Sequence, residues 1–202
     1  MKPKYRFITF EGIDGSGKST LAKIVYRELK KRGVKIKSTV EPTDSWLGKT
    51  VKRGFNSKTD SLAETFLFLA DRSLHAVQIK KWLSDGNIVL CDRYHDSTVA
   101  YQSVTLGEGF SGSGIDVIKW LLSFEKLFPR PDITFLLTIE PKKALSRLTN
   151  RKGKTKFEKI KFLQNVQKIY LKIAERNKRI VVLDASKPIY TLVDEVSRKI
   201  AI

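Results

Sequence analysis

The chain has 202 residues, 41% of them hydrophobic, and Lys plus Arg outnumber Asp plus Glu by 39 to 21, a net charge of +18. That length supports one domain with a sizeable core, no apolar run approaches the eighteen or so residues that a membrane span needs, and a single cysteine, Cys91, excludes an intrachain disulfide. With no apolar signal region at the N-terminus, the sequence predicts one domain over residues 1–202 that works in the cytoplasm without a membrane partner.

The first predicted element is a strand at residues 6–10. It runs into Gly12-Ile-Asp14-Gly15-Ser16-Gly17-Lys18-Ser19, a complete G-x-x-x-x-G-K-[ST] phosphate loop that opens a helix at residues 19–31. Gly12, Gly15 and Gly17 let the backbone turn until several N–H groups point at one anion. The helix adds its positive N-terminal end. Lys18 can reach the β- and γ-phosphates, and Ser19 can place its hydroxyl on Mg2+. The strand–loop–helix context makes this a nucleoside triphosphate site.

A second strand at residues 35–40 ends in Glu41-Pro42-Thr43. The helix predicted at residues 61–84 carries Phe66, Phe68, Asp71 and Arg72. Phe68 and Arg72 are four apart and share a face, so they can stack on a planar base and donate to its edge. A core aromatic beside a surface arginine satisfies the same spacing. The third strand, residues 87–91, leads into Asp92-Arg93-Tyr94 and then Ser97-Thr98-Val-Ala-Tyr101-Gln102. Asp92 is the candidate to hold hydrated Mg2+, with Glu140 as the competitor. Arg93 brings a planar cation to a transferring phosphoryl group, although a structural ion pair would use the same residues.

A helix at residues 115–127 precedes a strand at 132–139, which ends in Glu140-Pro141. A helix at 141–150 enters a polar, Gly-containing basic run, predicted as a lid at about residues 147–157. Phosphoryl transfer needs cations that arrive after the substrates, which suits such a lid. Next come a helix at 156–176, a strand at 179–183 ending in Asp184-Ala185-Ser186-Lys187, and a helix at 188–200. Leu163, Val166, Tyr170 and Ile173 recur along the first of these at helical spacing. Fourteen Lys and Arg against two Glu between Lys142 and Arg179 give that segment +12 of the total charge, mostly off the apolar stripe. Strands alternating with helices predict an α/β fold: a five-stranded parallel sheet with helices on both faces and ligands beyond the strands' carboxyl ends. The carboxylates at those ends suit a magnesium–phosphate site.

Over nearly its whole length the chain resembles the thymidylate kinase family. The likeness rests on Phe10-Glu-Gly-Ile-Asp-Gly-Ser-Gly-Lys-Ser-Thr20, Phe68-Leu-Ala-Asp-Arg72, Asp92-Arg-Tyr-His-Asp-Ser-Thr-Val-Ala-Tyr-Gln102, Arg130-Pro-Asp132 and Asp184-Ala-Ser-Lys187. The resemblance implies a P-loop NTPase fold, ATP and dTMP as substrates, Mg2+, and a homodimer. It gives Phe68 the thymine face, Arg72 its exocyclic oxygen, and Ser97, Thr98 and Gln102 the acceptor's surroundings. Tyr101 would crowd the sugar's 2′ position, Asp14 would approach the 3′-hydroxyl, and Arg93 would contact the phosphates. ATP would be held by the loop through Thr20, by Arg147 against adenine, and by Ala185 and Lys187 through their backbone. Gly15-Ser16 carries no arginine, so the lid cations Arg151, Lys152, Lys154 or Lys156 would act at the transfer point, Arg151 foremost. Many relatives read Arg-Glu-Pro where this chain has Val40-Glu41-Pro42, and Lys52 or Arg53 would replace that contact.

Two other readings compete. Glu41-Pro42-Thr-Asp-Ser-Trp46 also resembles deoxynucleoside kinases, in which Glu41 would be a general base on a sugar hydroxyl. A nucleic-acid-stimulated ATPase would use the basic segment as its contact surface, but no basic groove interleaved with aromatics supports nucleic acid as a partner.

Overall fold

The computed structural model describes residues 5–55, 59–107, 109–110, 113–148 and 160–200. Their elements run β1 (Phe7–Gly12), α1 (Lys18–Lys31), β2 (Ile36–Val40), α2 (Trp46–Gly54), α3 (Ser61–Ser84), β3 (Ile88–Asp92), α4 (His95–Leu106) and α5 (Val117–Ser123). After a 3-10 turn at Phe124–Leu127 come β4 (Ile133–Thr138), α6 (Pro141–Leu148), α7 (Ile160–Glu175), β5 (Ile180–Asp184) and α8 (Ile189–Ile200). The five strands are parallel in the order β2-β3-β1-β4-β5, the sheet that the alternation anticipated.

The order explains the strand sequences. Central β1, written FITFEG, is buried at every residue, as a strand covered on both faces must be. β2 lies at an edge and exposes Lys37 and Ser38, which blunts that edge against further pairing. Asp132 ties the start of β4 to β1, accepting from Arg6 N–H and Phe7 N–H at 2.7 and 2.8 Å. On α7 the stripe Leu163, Val166, Tyr170 and Ile173 is buried as its spacing predicts.

Register brings the carboxyl ends level. Phe10 and Val40 both lie opposite Asp92. Arg93 N–H donates to Phe10 C=O at 2.9 Å, and Glu41 N–H donates to Asp92 C=O at 3.0 Å. Glu11, Glu41 and Arg93 therefore leave the sheet side by side. Behind them, Arg179 at the start of β5 forms a two-pronged pair with Asp96 of α4, 2.8 Å on each arm.

Two helices have no counterpart in the sequence reading. α2 is nine residues long and is started by Ser45, whose hydroxyl accepts from Gly48 N–H at 3.0 Å. α4 buries ten of its twelve residues, so it shows no polar face and no helical period. The helix predicted at 115–127 begins after Asp116, which caps α5, and finishes as the 3-10 turn. Most of the predicted lid lies outside the described residues. Among the described residues no helix is long and apolar enough to cross a membrane.

Candidate active site

Where β1 meets α1, the phosphate loop takes φ values of +138° at Gly12, +80° at Gly15 and +92° at Gly17. Space as well as φ requires glycine at two of them. A Cβ would sit 2.4 Å from Leu137 C=O at Gly12 and 2.2 Å from Ala144 C=O at Gly15. Gly12 thus forms the turn, packed on β4, that carries the loop into the cavity wall. Gly15 through Thr20 all line a cavity of about 530 Å3, within the range of small-molecule sites.

Lys18 is buried, with its ammonium 3.3 Å from Ile13 C=O and 3.9 Å from Asp14. Burial, reinforced by Arg93, pushes it down to about 8. Burial raises the Asp14 carboxyl, but Arg93 and Lys18 together hold it below its usual value. Arg93 stands on strained backbone, φ +66°, where a side chain costs about 1–3 kcal/mol. Its guanidinium reaches Asp14 at 2.5 Å, Ser97 Oγ at 3.1 Å and Tyr101 Oη at 3.2 Å, and lies 4.9 Å from the Tyr101 ring centroid. Burial keeps the Tyr101 hydroxyl protonated, and it donates to Asp14 at 2.9 Å. A carboxylate, Asp14, thus lies between two cations, Lys18 and Arg93, an arrangement of charge that suits a phosphoryl group.

The other end of the cavity is lined by Phe55, Phe68, Arg72, Thr98 and Gln102. Phe55 and Phe68 lie 6.0 Å apart, whereas Phe66 turns away and is half exposed. Arg72 is 1% exposed, which overturns the surface-arginine alternative. Its Nε and Nη2 donate to Glu41 Oε2 at 2.9 and 2.6 Å, and Nη2 also reaches Thr98 Oγ1 at 2.8 Å. The second oxygen of Glu41 faces His75 Nδ1 at 2.8 Å. Asp71, next along α3, accepts from Thr43 N–H and the Ser45 hydroxyl at 2.8 Å each, fixing the loop after β2 against the helix. Burial, then Arg72, pushes His95 down to about 3, so the imidazole beside that guanidinium is neutral. Gln102 Nε2 is buried without a hydrogen-bond partner among the described residues.

Ser97 lines the cavity as well, and its hydroxyl donates to Glu11 and accepts from Arg93, so it also supports Arg93. At the loop's far side, Arg147 Nη2 donates to Ala185 C=O at 3.2 Å. Lys187 lines the wall while its ammonium pairs with Glu195 at 2.7 Å, which leaves its backbone to the site. Asp92 lines the cavity and Glu140 does not; Asp92 Oδ1 is buried and unpartnered among the described residues. No cluster of three or more potential metal-ligating residues occurs among them. Asp92 and Ser19 line the same cavity, and one carboxylate with one hydroxyl suits Mg2+, which takes few protein ligands beside phosphate and water.

Lys52 does not line the cavity; it pairs with Asp44 at 2.7 Å, and Arg53 is absent from the lining too. The lid residues Arg151, Lys152, Lys154 and Lys156 lie outside the described residues. Sequence reasoning missed the Phe55 wall, the tie of Arg72 to Glu41 and His75, and the burial of Glu11 beneath the loop. Burial, then Asp96, pushes the Glu11 carboxyl up to about 7. The phosphate loop motif is preceded by a carboxylate that nothing in the motif's spacing marks as buried.

The thymidylate kinase family model matches residues 10–196. A probable thymidylate kinase of Methanosarcina mazei is 43% identical over 199 residues, covering 96% of this chain and 93% of its own. One from Sulfurisphaera tokodaii is 42% identical over 193 residues, covering 94% and 93%. The solved structure of thymidylate kinase from Candida albicans superposes with a TM-score of 0.80 at 27% identity, covering 99% of this chain and 92% of that one.

Proposed function

The chain belongs to the thymidylate kinase family, and from that premise we propose that its cavity holds ATP and dTMP end to end and passes the γ-phosphoryl to dTMP, giving dTDP and ADP. One observation carries this reading: a single cavity has the phosphate loop at one end, Phe68, Arg72 and Gln102 at the other, and Arg93 between them. Two nucleotides meeting at their phosphates have that shape.

Each group then has a task. Loop N–H groups and Lys18 hold the triphosphate, with Ser16, Ser19 and Thr20 beside it, while Arg147, Ala185 and Lys187 flank adenine. Phe68 stacks on thymine, and Arg72, Thr98 and Gln102 meet its edge. Tyr101 crowds the sugar, and Asp14 exchanges Arg93 for the 3′-hydroxyl once phosphate arrives. The transfer is in line and needs positioning and charge rather than a covalent intermediate. Mg2+ held at Asp92 and Ser19 supplies charge neutralisation to the phosphates when bound. Arg151 of the lid is the proposed further cation.

Glu41 speaks against a deoxynucleoside kinase. Both of its oxygens are engaged, one by Arg72 of the cavity wall and the other by His75, so it is not a free base for a sugar hydroxyl. A monophosphate acceptor needs none, since its oxygen is already anionic near neutrality. Within the basic segment, Arg179 is committed internally to Asp96. On α3, Leu74 and Val77 are exposed apolar residues, Val77 at 69%, which suits burial against a second copy of the chain. Free nucleotide substrates fit work in the cytoplasm.

A panel of monophosphates with ATP and Mg2+, followed by ADP release, tests the acceptor. The wild type should prefer dTMP over dUMP and dCMP. Arg72→Ala is expected to reduce its preference for dTMP over dCMP by about 10- to 100-fold, the size of losing a hydrogen-bonded base edge. An unchanged preference would remove Arg72 from base recognition.

A further inference from the structure

The strain at Arg93 needs a cause, and the structure supplies one from a residue outside the cavity lining. Glu11 is fully buried at the end of β1. Its Oε1 accepts from Tyr94 N–H at 2.7 Å. Its Oε2 accepts from the hydroxyls of Ser97, at 2.5 Å, and Tyr170, at 3.0 Å. Arg93 N–H, one residue before Tyr94, is bonded to Phe10 C=O. Two consecutive residues of β1 thus grip the two consecutive N–H groups on either side of the left-handed residue.

The same carboxylate also reaches the side chain. Arg93 Nη1 donates to Ser97 Oγ at 3.1 Å, and that oxygen is held by Glu11 on one side and lies 2.8 Å from Tyr170 Oη on the other. Glu11 itself makes no ion pair within 4 Å among the described residues; three neutral donors satisfy it. In the ionised form of Glu11 such hydrogen bonds are charge-assisted and about twice as strong as neutral ones. Their arrangement keeps the carboxylate from consuming the guanidinium donors that a phosphoryl group would use. A neutral side chain at position 11 would hold backbone and hydroxyl less firmly, leaving φ +66° at Arg93 poorly supported.

We propose that Glu11 is a positioning residue that aims Arg93, through the Tyr94 N–H and the Ser97 hydroxyl, at the phosphoryl group. This rests on the reading in which Arg93 contacts the transferring group. Tyr170 brings α7 into the same support, across 159 residues of sequence.

Glu11→Gln keeps the shape and removes the charge. It should lower kcat by about 10- to 100-fold, as a misplacement near 1 Å does, with KM for ATP within about twofold. The decisive readout is a double-mutant cycle. In an Arg93→Ala background, Glu11→Gln should cost almost nothing further, since its effect passes through the missing guanidinium. An equal loss in both backgrounds, or wild-type kcat in the single variant, would overturn the proposal. If Glu11→Gln does not fold, Ser97→Ala cuts only the side-chain arm and is expected to lower kcat by about 3- to 10-fold with the same dependence on Arg93. Additive losses there would equally overturn it. A wild type that makes no ADP with dTMP would instead refute the acceptor assignment and leave the Glu11–Arg93 coupling to be read with whatever acceptor is active.

Discussion

Lys18→Ala is expected to lower turnover by about 10²- to 10³-fold or more, the effect of removing a preorganised transition-state charge from a water-poor site. Lys18 is buried, faces Ile13 C=O and Asp14, and carries its charge against burial and the nearby Arg93. Its folded value, about 8, lies below the ordinary 10.5. For a depressed group, the stabilising contribution is fully present only above the ordinary value and is lost as pH falls through the folded one. At neutral pH the buried ammonium therefore weighs against the free fold, and bound triphosphate relieves it. Lys18→Ala should accordingly unfold at the wild-type temperature or slightly above while its ADP release collapses. Thermal denaturation and steady-state assays at pH 7 check the two halves separately. Near wild-type turnover, or a large loss of stability, would each contradict this account of Lys18.

Arg93→Ala should cost a similar factor, about 10²- to 10³-fold in kcat. Its nitrogens address three groups in different directions, Asp14, Ser97 and Tyr101, while the guanidinium plane lies against the Tyr101 ring. A lysine has one nitrogen and no plane, so Arg93→Lys should recover less than a tenth of the lost rate. Asp14 would also lose the larger of the two cations that hold its carboxyl down. Its rise towards an ordinary carboxylate value, followed by NMR titration, would report the loss independently of turnover. Substantial rescue by lysine would show that charge alone suffices there.

The parts of this site visible in the sequence obey short-range rules. The glycine spacing of the loop, the alternation of strands with helices, and the stripe on α7 are each written within twenty residues or so. Sheet order then follows from parallel crossovers, and the strand-end carboxylates fall together because register levels those ends. What stayed hidden is long-range or lacks a period. α4 is buried nearly all round, so no amphipathic signal marks it. Ser45 could have announced α2, but Gly48 and Gly54 interrupt the helical pattern. Glu41 looks like a base until Arg72 and His75 arrive from a helix thirty residues away. The tie of Ser97 to Glu11 is hidden in the same way, since it forms only when β1 comes up against α4. Neither Lys52 nor Arg53 enters the lining, and Val40 does so without a charge.

The central claim is that the acceptor carries a phosphate, and thymidine set against dTMP tests it directly. With ATP and Mg2+ in excess, ADP release should depend on dTMP, yield dTDP, and stay at the background rate with thymidine. Turnover of thymidine without turnover of dTMP would contradict the account and return Glu41 to the role of a base.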